Sequence, residues 1–448
     1  MVGKRKMRGA ILPGNSSVEF RDFDIPVPGH GEALIKTKSS TICGSDIRAI
    51  YHEHLGKGPE GYQPGMIAGH EPAGQIVECG PGMRRFKKGD RVILYHISGC
   101  GVCNDCRRGY MISCTSAEFR RAYGWQRHGG MAPYILAEEK DLVLLPDSLT
   151  YTDGAQAACG FGTVYEGLEK IGVCGNDTVL VTGLGPVGLA TLMLCRAMGA
   201  SRLIGIDVIK ERLQLARKLK LADHVLPAGP DNVKEVLELT GGRGCERTVD
   251  CSANEAARLV CIQAARKWGR ICFIGEGGAC SLKPSPDIIH DQKTIYGSWV
   301  TSIWKMEELV ERIERWGIHP ERLVTHRFPL ERAGEAYALM ASGKCGKVAV
   351  VFDEELKQGG VQSDDRERES NLHAGPGRRP AVKRSFLRLE FRGADPGRRP
   401  GHVRVGPRVR GDRGGGGLGG RIARLSAHRL RVGLRQREGN RTDSPRDT

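Results

Sequence analysis

Long apolar runs are missing from this 448-residue sequence. The longest, such as LATLMLC at 189–195, fall far short of the ~20 residues that a helix needs to cross a bilayer, so no membrane span is expected. The N-terminus, MVGKRKMRGAILPGNSSVEF, has basic residues but lacks the apolar stretch and small-residue cleavage site of a secretory signal, which points to the cytoplasm. Even pairing of cysteines is lacking as well. The count of 15 is odd, and without a signal it argues against a disulfide framework. The length suffices for two substantial domains with large cores.

The net charge of +16 suggests a nucleic-acid partner until its distribution is read. Residues 354–448 carry 23 Lys and Arg against 12 Asp and Glu, whereas residues 1–353 carry 45 against 40. The basicity belongs to the tail and says nothing about what the main body binds. All 15 cysteines lie before residue 354, and four of them cluster with regular spacing, which points to metal.

Three zones precede the tail. Residues 1–154 hold short β-like runs between Gly/Pro turns, among them EALIKTKS, GQIVECG, DRVILYH and LVLLP, and predict a compact antiparallel β domain. Residues 155–295 alternate strand and helix patterns: strand TVLVT at 178–182, helix 186–198, strand RLIGI at 202–206, helix 210–220, then strands RTVDCS at 247–252 and RICFIG at 270–275 with a helix between them. That alternation predicts a doubly wound parallel α/β sheet. Residues 296–353 contain the amphipathic helix KMEELVERIERW and close on the strand KVAVVF at 347–352. Beyond it, residues 354–448 are dominated by Arg, Gly and Pro, with GGGGLGG at 414–420, and predict disorder. The tail reads as a basic arm for nucleic acid, as a solvated segment without a role, or as an out-of-frame read of GC-rich DNA, whose codons favour Arg, Gly and Pro. Nucleic acid is not the expected partner, and removing the tail separates an enzyme, which keeps its activity, from an arm-driven binder.

The chemistry sits in three motifs. Cys100-x2-Cys103-x2-Cys106-x7-Cys114 supplies four thiolates at tight spacing, enough to close a tetrahedral all-sulfur site of the structural-zinc type. An iron–sulfur cluster uses the same ligands. A second set is dispersed: Cys43 in T-I-C-G-S-D, His70 and Glu71 in A-G-H-E-P-A-G, and Cys159 in A-A-C-G-F-G-T. Two cysteines and a histidine with one open position form the ligand pattern of a catalytic zinc, which as a Lewis acid stabilises the alkoxide that expels a hydride. Singly, each of these residues reads equally as core packing. The third motif, Gly183-Leu184-Gly185-Pro186-Val187-Gly188, follows a strand and opens a helix. Asp207 ends the next strand, 19 residues after Gly188. In that context it is a dinucleotide fingerprint, and a carboxylate at 207 suits the ribose hydroxyls of NAD and repels the extra phosphate of NADP. Lys210 and Arg212 are placed either to contact the adenosine ribose or simply on the surface of a helix start.

With these motifs in order, the chain over residues 7–353 resembles the zinc-containing medium-chain alcohol and polyol dehydrogenase family, in its threonine-dehydrogenase-like and sorbitol-dehydrogenase-like branch. The resemblance implies a GroES-like β-rich catalytic domain interrupted by a Rossmann domain, with a structural zinc lobe at about 96–116. It assigns Cys43, His70 and Cys159 to a catalytic zinc, Glu71 to an occasional alternative ligand, Asp46 to a partner of the histidine, and Ser45 to the hydroxyl that touches the substrate oxygen. Arg48 stands where the family often has a relay histidine and cannot act as a neutral base, so solvent, His52 or His54 is the candidate substitute. His96, Trp125, Trp299 and Trp304 are candidates for the pocket wall or for ordinary packing. Threonine and sorbitol enzymes usually carry an acidic residue at the place of Cys159, so neither substrate follows. The expectation is an NAD-linked, two-zinc enzyme that oxidises a secondary alcohol of a polyol, cyclitol or amino alcohol to the ketone. A homodimer or homotetramer acting on a small polar alcohol completes it. The alternatives are an L-threonine 3-dehydrogenase-like enzyme, a zinc-free reductase on the same fold, and a nucleic-acid binder acting through the tail.

Overall fold

The computed structural model describes residues 5–55, 61–116 and 118–352. The expectation of a disordered 354–448 tail lies outside them.

The first sheet has seven strands. Its organising element is the ten-residue strand Glu32–Thr41, whose Thr, Ser and β-branched content suits a pleated surface buried on both sides. It pairs antiparallel with Glu71–Cys79, with Tyr134–Glu138 and with the C-terminal strand Lys347–Val351. At its end, Thr41 faces Glu71 on one side and Ala349 on the other. That register brings three distant stretches of chain, those of Cys43, His70–Glu71 and Lys347, to one edge of the sheet. The sheet departs from the all-antiparallel expectation at one place: Val324–Phe328 runs parallel to Lys347–Val351.

The second sheet is parallel throughout, with six strands in the spatial order His224–Pro227, Arg202–Asp207, Thr178–Thr182, Cys245–Asp250, Ala265–Phe273, Thr294–Gly297. This is the doubly wound order in which the succession of strands reverses between the third and fourth, where a crevice opens at the carboxyl ends. The central strand TVLVT is buried on both faces, as a covered parallel strand must be. Helix Pro186–Ala197 follows it with a first-turn proline, which needs no donor there. The outermost strands of this sheet escape the sequence pattern because they are four-residue edges, HVLP and TIYG.

Helix Ile303–Trp316 starts at Ser302, whose hydroxyl accepts from the Lys305 amide, and stops at Gly317 in the left-handed conformation. Met306, Leu309, Val310 and Ile313 form its buried stripe at helical spacing, each contributing about 1.5–3 kcal/mol. One continuous apolar cluster joins the two sheets, running from Ile93 and Tyr95 through Phe161 and Tyr165 to Val181 and Leu192. The crevice is thereby held against the edge of the first sheet. Among the described residues no helix is long and apolar enough to cross a membrane.

Candidate active site

Two segments of the site are helical turns of unusual pitch. After strand Glu32–Thr41 the chain enters the short helix Gly44–Asp46, which continues as a π-turn at Ile47–Tyr51. Helix Tyr151–Gln156, capped by the Thr150 hydroxyl, opens into a second π-turn at Ala157–Phe161. Such turns displace one residue from the regular ladder and recur at functional sites. Here one begins four residues after Cys43 and the other contains Cys159.

The donor atoms of Cys43, His70, Glu71 and Cys159 all lie within 4.8 Å of one another, and the two sulfurs are 4.0 Å apart. Ligand sulfurs on a tetrahedral zinc, with Zn–S near 2.3 Å, stand about 3.8 Å apart, so the donor set fits that ion. His70 Nδ1 lies 2.7 Å from Asp46 Oδ1 in a fully buried pair. The proton therefore sits on Nδ1 and Nε2 is left as the donor. The other oxygen, Oδ2, accepts from the Cys43 amide at 3.0 Å, so one carboxylate positions two members of the set. Although burial opposes the charged form, Asp46 holds the His70 imidazole well above its ordinary range. The hydrogen bond from Cys159 lowers Cys43, and Cys159 rises in return. Glu71 is tied on one side only: Oε2 receives Thr41 Oγ1 at 2.5 Å and Lys347 Nζ at 2.5 Å. Its Oε1 is buried without a partner, which is the state of an oxygen able to serve as an alternative ligand.

The second set, Cys100, Cys103, Cys106 and Cys114, also converges within 4.8 Å, with Cys100 and Cys106 sulfurs 3.9 Å apart and none of the four in a disulfide. Backbone amides point at these sulfurs. The Cys103 amide reaches Cys100 Sγ at 3.3 Å, and the Cys100 amide reaches Cys114 Sγ at 3.4 Å. Amides from Cys106 and Thr115 bring the Cys103 thiol down to about 6, so it ionises readily as a ligand. The set is closed, with four protein donors, whereas the first leaves a position open.

Two adjoining cavities meet at the first set. The larger, about 730 Å³, runs along the crevice of the parallel sheet past Gly183, Gly185, Pro186, Val187, Asp207 and Arg212. The smaller, about 360 Å³, is walled by Ser45, Arg48, His70, His96, Trp125, Cys159, Glu276 and Trp299, among others. They share Cys43, Gly44, Gly160, Val187, Cys251 and Ser252. The fingerprint glycines are needed sterically. A Cβ on Gly188 would stand 1.8 Å from the Gly183 carbonyl, and Gly183 itself has φ +83°. Their absence of side chains lets a pyrophosphate approach the N-terminus of helix Pro186–Ala197. Asp207 accepts from the Leu184 amide at 2.6 Å and the Ile209 amide at 2.7 Å, and Arg212 Nη1 is 3.6 Å away.

The structure divides the remaining candidates. Arg212 faces the large cavity, anchored to the Gly343 carbonyl, whereas Lys210 is exposed and lines neither cavity. Trp304 packs over Gly109 and under the Lys305 ammonium rather than on the pocket wall. The structure does not bring His52 or His54 to either cavity. His52 bonds Ser16 Oγ at 2.9 Å, His54 bonds the Leu12 carbonyl at 2.9 Å, and neither lines a cavity. Reasoning from sequence missed Lys347, buried against Glu71 and lining the large cavity, although it opens the strand run KVAVVF. His96 is held neutral by burial, its value brought down to about 3.

An open set of two cysteines and one histidine at the junction of a dinucleotide crevice and a second, mostly apolar pocket, with a closed four-cysteine lobe beside it, defines a zinc-type dehydrogenase. The chain belongs to the zinc-binding alcohol dehydrogenase family, a family of oxidoreductases. Residues 29–147 match the alcohol dehydrogenase GroES-like domain, and residues 186–315 match the zinc-binding dehydrogenase domain. It is 52% identical over 352 residues to the uncharacterized zinc-type alcohol dehydrogenase-like protein YphC of Escherichia coli K12, covering 78% of this chain and 99% of that protein. It is 31% identical to the L-threonine 3-dehydrogenase of Pyrococcus horikoshii, over 75% of this chain and 95% of that one. The protein rspB of E. coli CFT073, described as a short chain alcohol dehydrogenase and solved in complex with cofactor NADH, superposes with a TM-score of 0.68 at 25% identity, covering 78% of this chain and 99% of that one.

Proposed function

We propose that the protein is an NAD-dependent zinc dehydrogenase with two zinc ions per chain, oxidising a secondary alcohol of a polyol, cyclitol or amino alcohol to the ketone. The observation that carries this reading is the meeting of the two cavities at Cys43, with His70 and Cys159 at the same junction. When bound at that junction, zinc supplies Lewis-acid polarisation of the alcohol, and the nicotinamide of NAD supplies the hydride acceptor. The chain's own residues do the rest. Asp46 fixes the His70 tautomer and the Cys43 backbone. Ser45, on the wall of the smaller cavity, takes the proton from the alcohol and passes it to solvent, since neither His52 nor His54 lines that cavity. Asp207 and Arg212 hold the adenosine end, and Lys347 offers positive charge to the cofactor cavity. Ser45, Thr163 and Gln126 set a few polar groups into an otherwise mostly apolar wall, which suits a small hydroxylated substrate.

The closed four-cysteine lobe takes the structural zinc in this reading, and family membership favours zinc over an iron–sulfur cluster there. The L-threonine 3-dehydrogenase relatives keep an amino alcohol among the substrates to try. A homodimer or homotetramer fits the outer edge of strand Thr294–Gly297, which pairs with no further strand among the described residues. A cytoplasmic location fits 15 free cysteines. The test is NADH formation from a panel of polyols, cyclitols and amino alcohols by the zinc-loaded protein, with metal analysis beside it. Turnover of none of them, or one zinc per chain after reconstitution, overturns the reading.

A further inference from the structure

We propose that Arg48, standing where a relay histidine is expected, is a positioning residue that clamps the metal-binding turn to the cofactor loop through Glu276. Its place in catalysis rests on the dehydrogenase reading above. Arg48 lies in the π-turn Ile47–Tyr51, three residues after Ser45 and five after Cys43. Its Nη1 donates to the Glu276 carbonyl and its Nη2 to Glu276 Oε2 at 2.5 Å. The two residues are 228 positions apart and face each other across the mouth of the smaller cavity. Arg48 is absent from the lining of the larger cavity, where the pyrophosphate would lie.

The Glu276 end of the clamp is built on a rigid base. Asp250, at the end of the fourth strand of the parallel sheet, is fully buried and receives Thr182 Oγ1, the Ser252 and Ala253 amides and Arg258 Nε. Arg258, thus anchored, donates to three carbonyls of the loop after strand Ala265–Phe273: Gly275 at 2.7 Å, Gly277 at 2.8 Å and Ala279 at 3.1 Å. The loop lies directly on the backbone of residue 253. A Cβ on Gly275 would come within 2.3 Å of the Ala253 amide nitrogen, and one on Gly278 within 2.0 Å of the Ala253 carbonyl. Ser252 and Ala253 wall the substrate pocket, and Ser252 also walls the cofactor cavity. The chain of contacts from Asp250 through Arg258, the 275–279 loop and Glu276 to Arg48 therefore ties the floor of the cofactor site to the turn that carries Cys43 and Ser45. Both clamp side chains are half-exposed, so the pair adds little to global stability. Its effect is on the relative placement of two surfaces that must meet for hydride transfer, where small misplacements are costly.

The experiment uses the full zinc-loaded chain with R48E, E276R and the double reversal R48E/E276R. NADH affinity is read by fluorescence titration, alcohol turnover by NADH formation, and unfolding midpoint serves as the control. Each single variant is expected to weaken NADH binding and lower kcat about tenfold, with KM for the alcohol and the midpoint little changed. The double reversal should bind NADH at least about threefold more tightly than either single variant, as a coupled pair requires. Smaller recovery overturns the clamp, because an Arg48 that bound the cofactor phosphates directly would not be rescued by an arginine at 276. If the wild type oxidises no alcohol, the dehydrogenase reading fails while the NADH titration still decides the clamp.

Discussion

Asp46→Asn removes one charge and changes no shape, so its effect can be worked out from the hydrogen bonds. The Asp46 carboxylate is fully buried, and its two oxygens accept from two donors, His70 Nδ1–H at 2.7 Å and the Cys43 amide at 3.0 Å. An asparagine amide has a single acceptor oxygen. Whichever way it turns, its NH2 group faces one of those donors, and a buried donor is left without an acceptor. That costs about 1–3 kcal/mol, and the lost charge assistance on the other bond adds to it. Both donors belong to residues of the metal set, so the loss is expressed as metal affinity. A fall of about 10–100-fold in affinity corresponds to roughly 1.4–2.7 kcal/mol and is the usual scale for such supporting partners. The assay is competition with a chromophoric chelator, read separately for the two proposed zinc sites, since the Cys100–Cys114 lobe is untouched by the substitution and acts as the internal reference. Loss of less than about threefold at the weaker site, or equal loss at both, would refute the assignment of Asp46 as the support of His70 and Cys43.

Cys103→Ser should cut zinc content from two ions per chain to one and lower the unfolding midpoint, because a structural zinc contributes folding free energy directly. Unchanged zinc content would remove the lobe from the metal inventory. Asp207→Ala should improve NADP over NAD, in kcat/KM ratio, by about tenfold or more, since it frees Arg212 to meet a 2′-phosphate. A wild type that prefers NADP would contradict the role given to Asp207. Ser45→Ala should lower kcat by roughly 10²-fold, the scale of a positioned proton transfer, while His52→Ala and His54→Ala stay near wild type. Collapse of activity in either histidine variant would show that the proton leaves by another route.

What the sequence made legible depended on how far apart the cooperating residues lie. The glycine motif and the four-cysteine lobe are local, spanning 183–188 and 100–114, and their backbone geometry follows from spacing alone. Cys43, His70 and Cys159 are separated by up to 116 positions, and each alone reads as core packing, so only the composition of the set, and then the resemblance, ties them together. The Glu71–Lys347 and Arg48–Glu276 pairs were invisible. The first exists only because Thr41 sets the register of both flanking strands, and the second only because a loop folds back across the cleft. Proximity in sequence misled where it replaced geometry. His52 and His54 follow Arg48 closely, but the π-turn ends at Tyr51, and their rings bond Ser16 and the Leu12 carbonyl without lining either cavity. Among strands, the buried central ones were read within a few residues, while edge strands with mixed composition were not.

The buried Glu71–Lys347 pair decides how the metal junction tolerates its negative charge. Two thiolates already match a divalent ion, so Glu71 is a surplus negative group, and burial pushes its carboxyl up while Lys347 opposes the rise. Lys347 Nζ sits 2.5 Å from Glu71 Oε2 with both side chains almost wholly enclosed. Removing one partner leaves the other charge buried and unpaired, so Lys347→Met should destabilise the zinc-loaded protein by about 3–5 kcal/mol in urea unfolding. The double variant Glu71→Gln/Lys347→Met removes both charges and should recover a large part of that loss, because two neutral groups of similar shape need no mutual compensation. NADH affinity separates the two roles of the lysine. Lys347 lines the cofactor cavity, so its loss should weaken NADH equally in the single and the double variant, even as stability returns in the double. If the double variant is no more stable than Lys347→Met, the lysine is held for packing and not for the charge of Glu71.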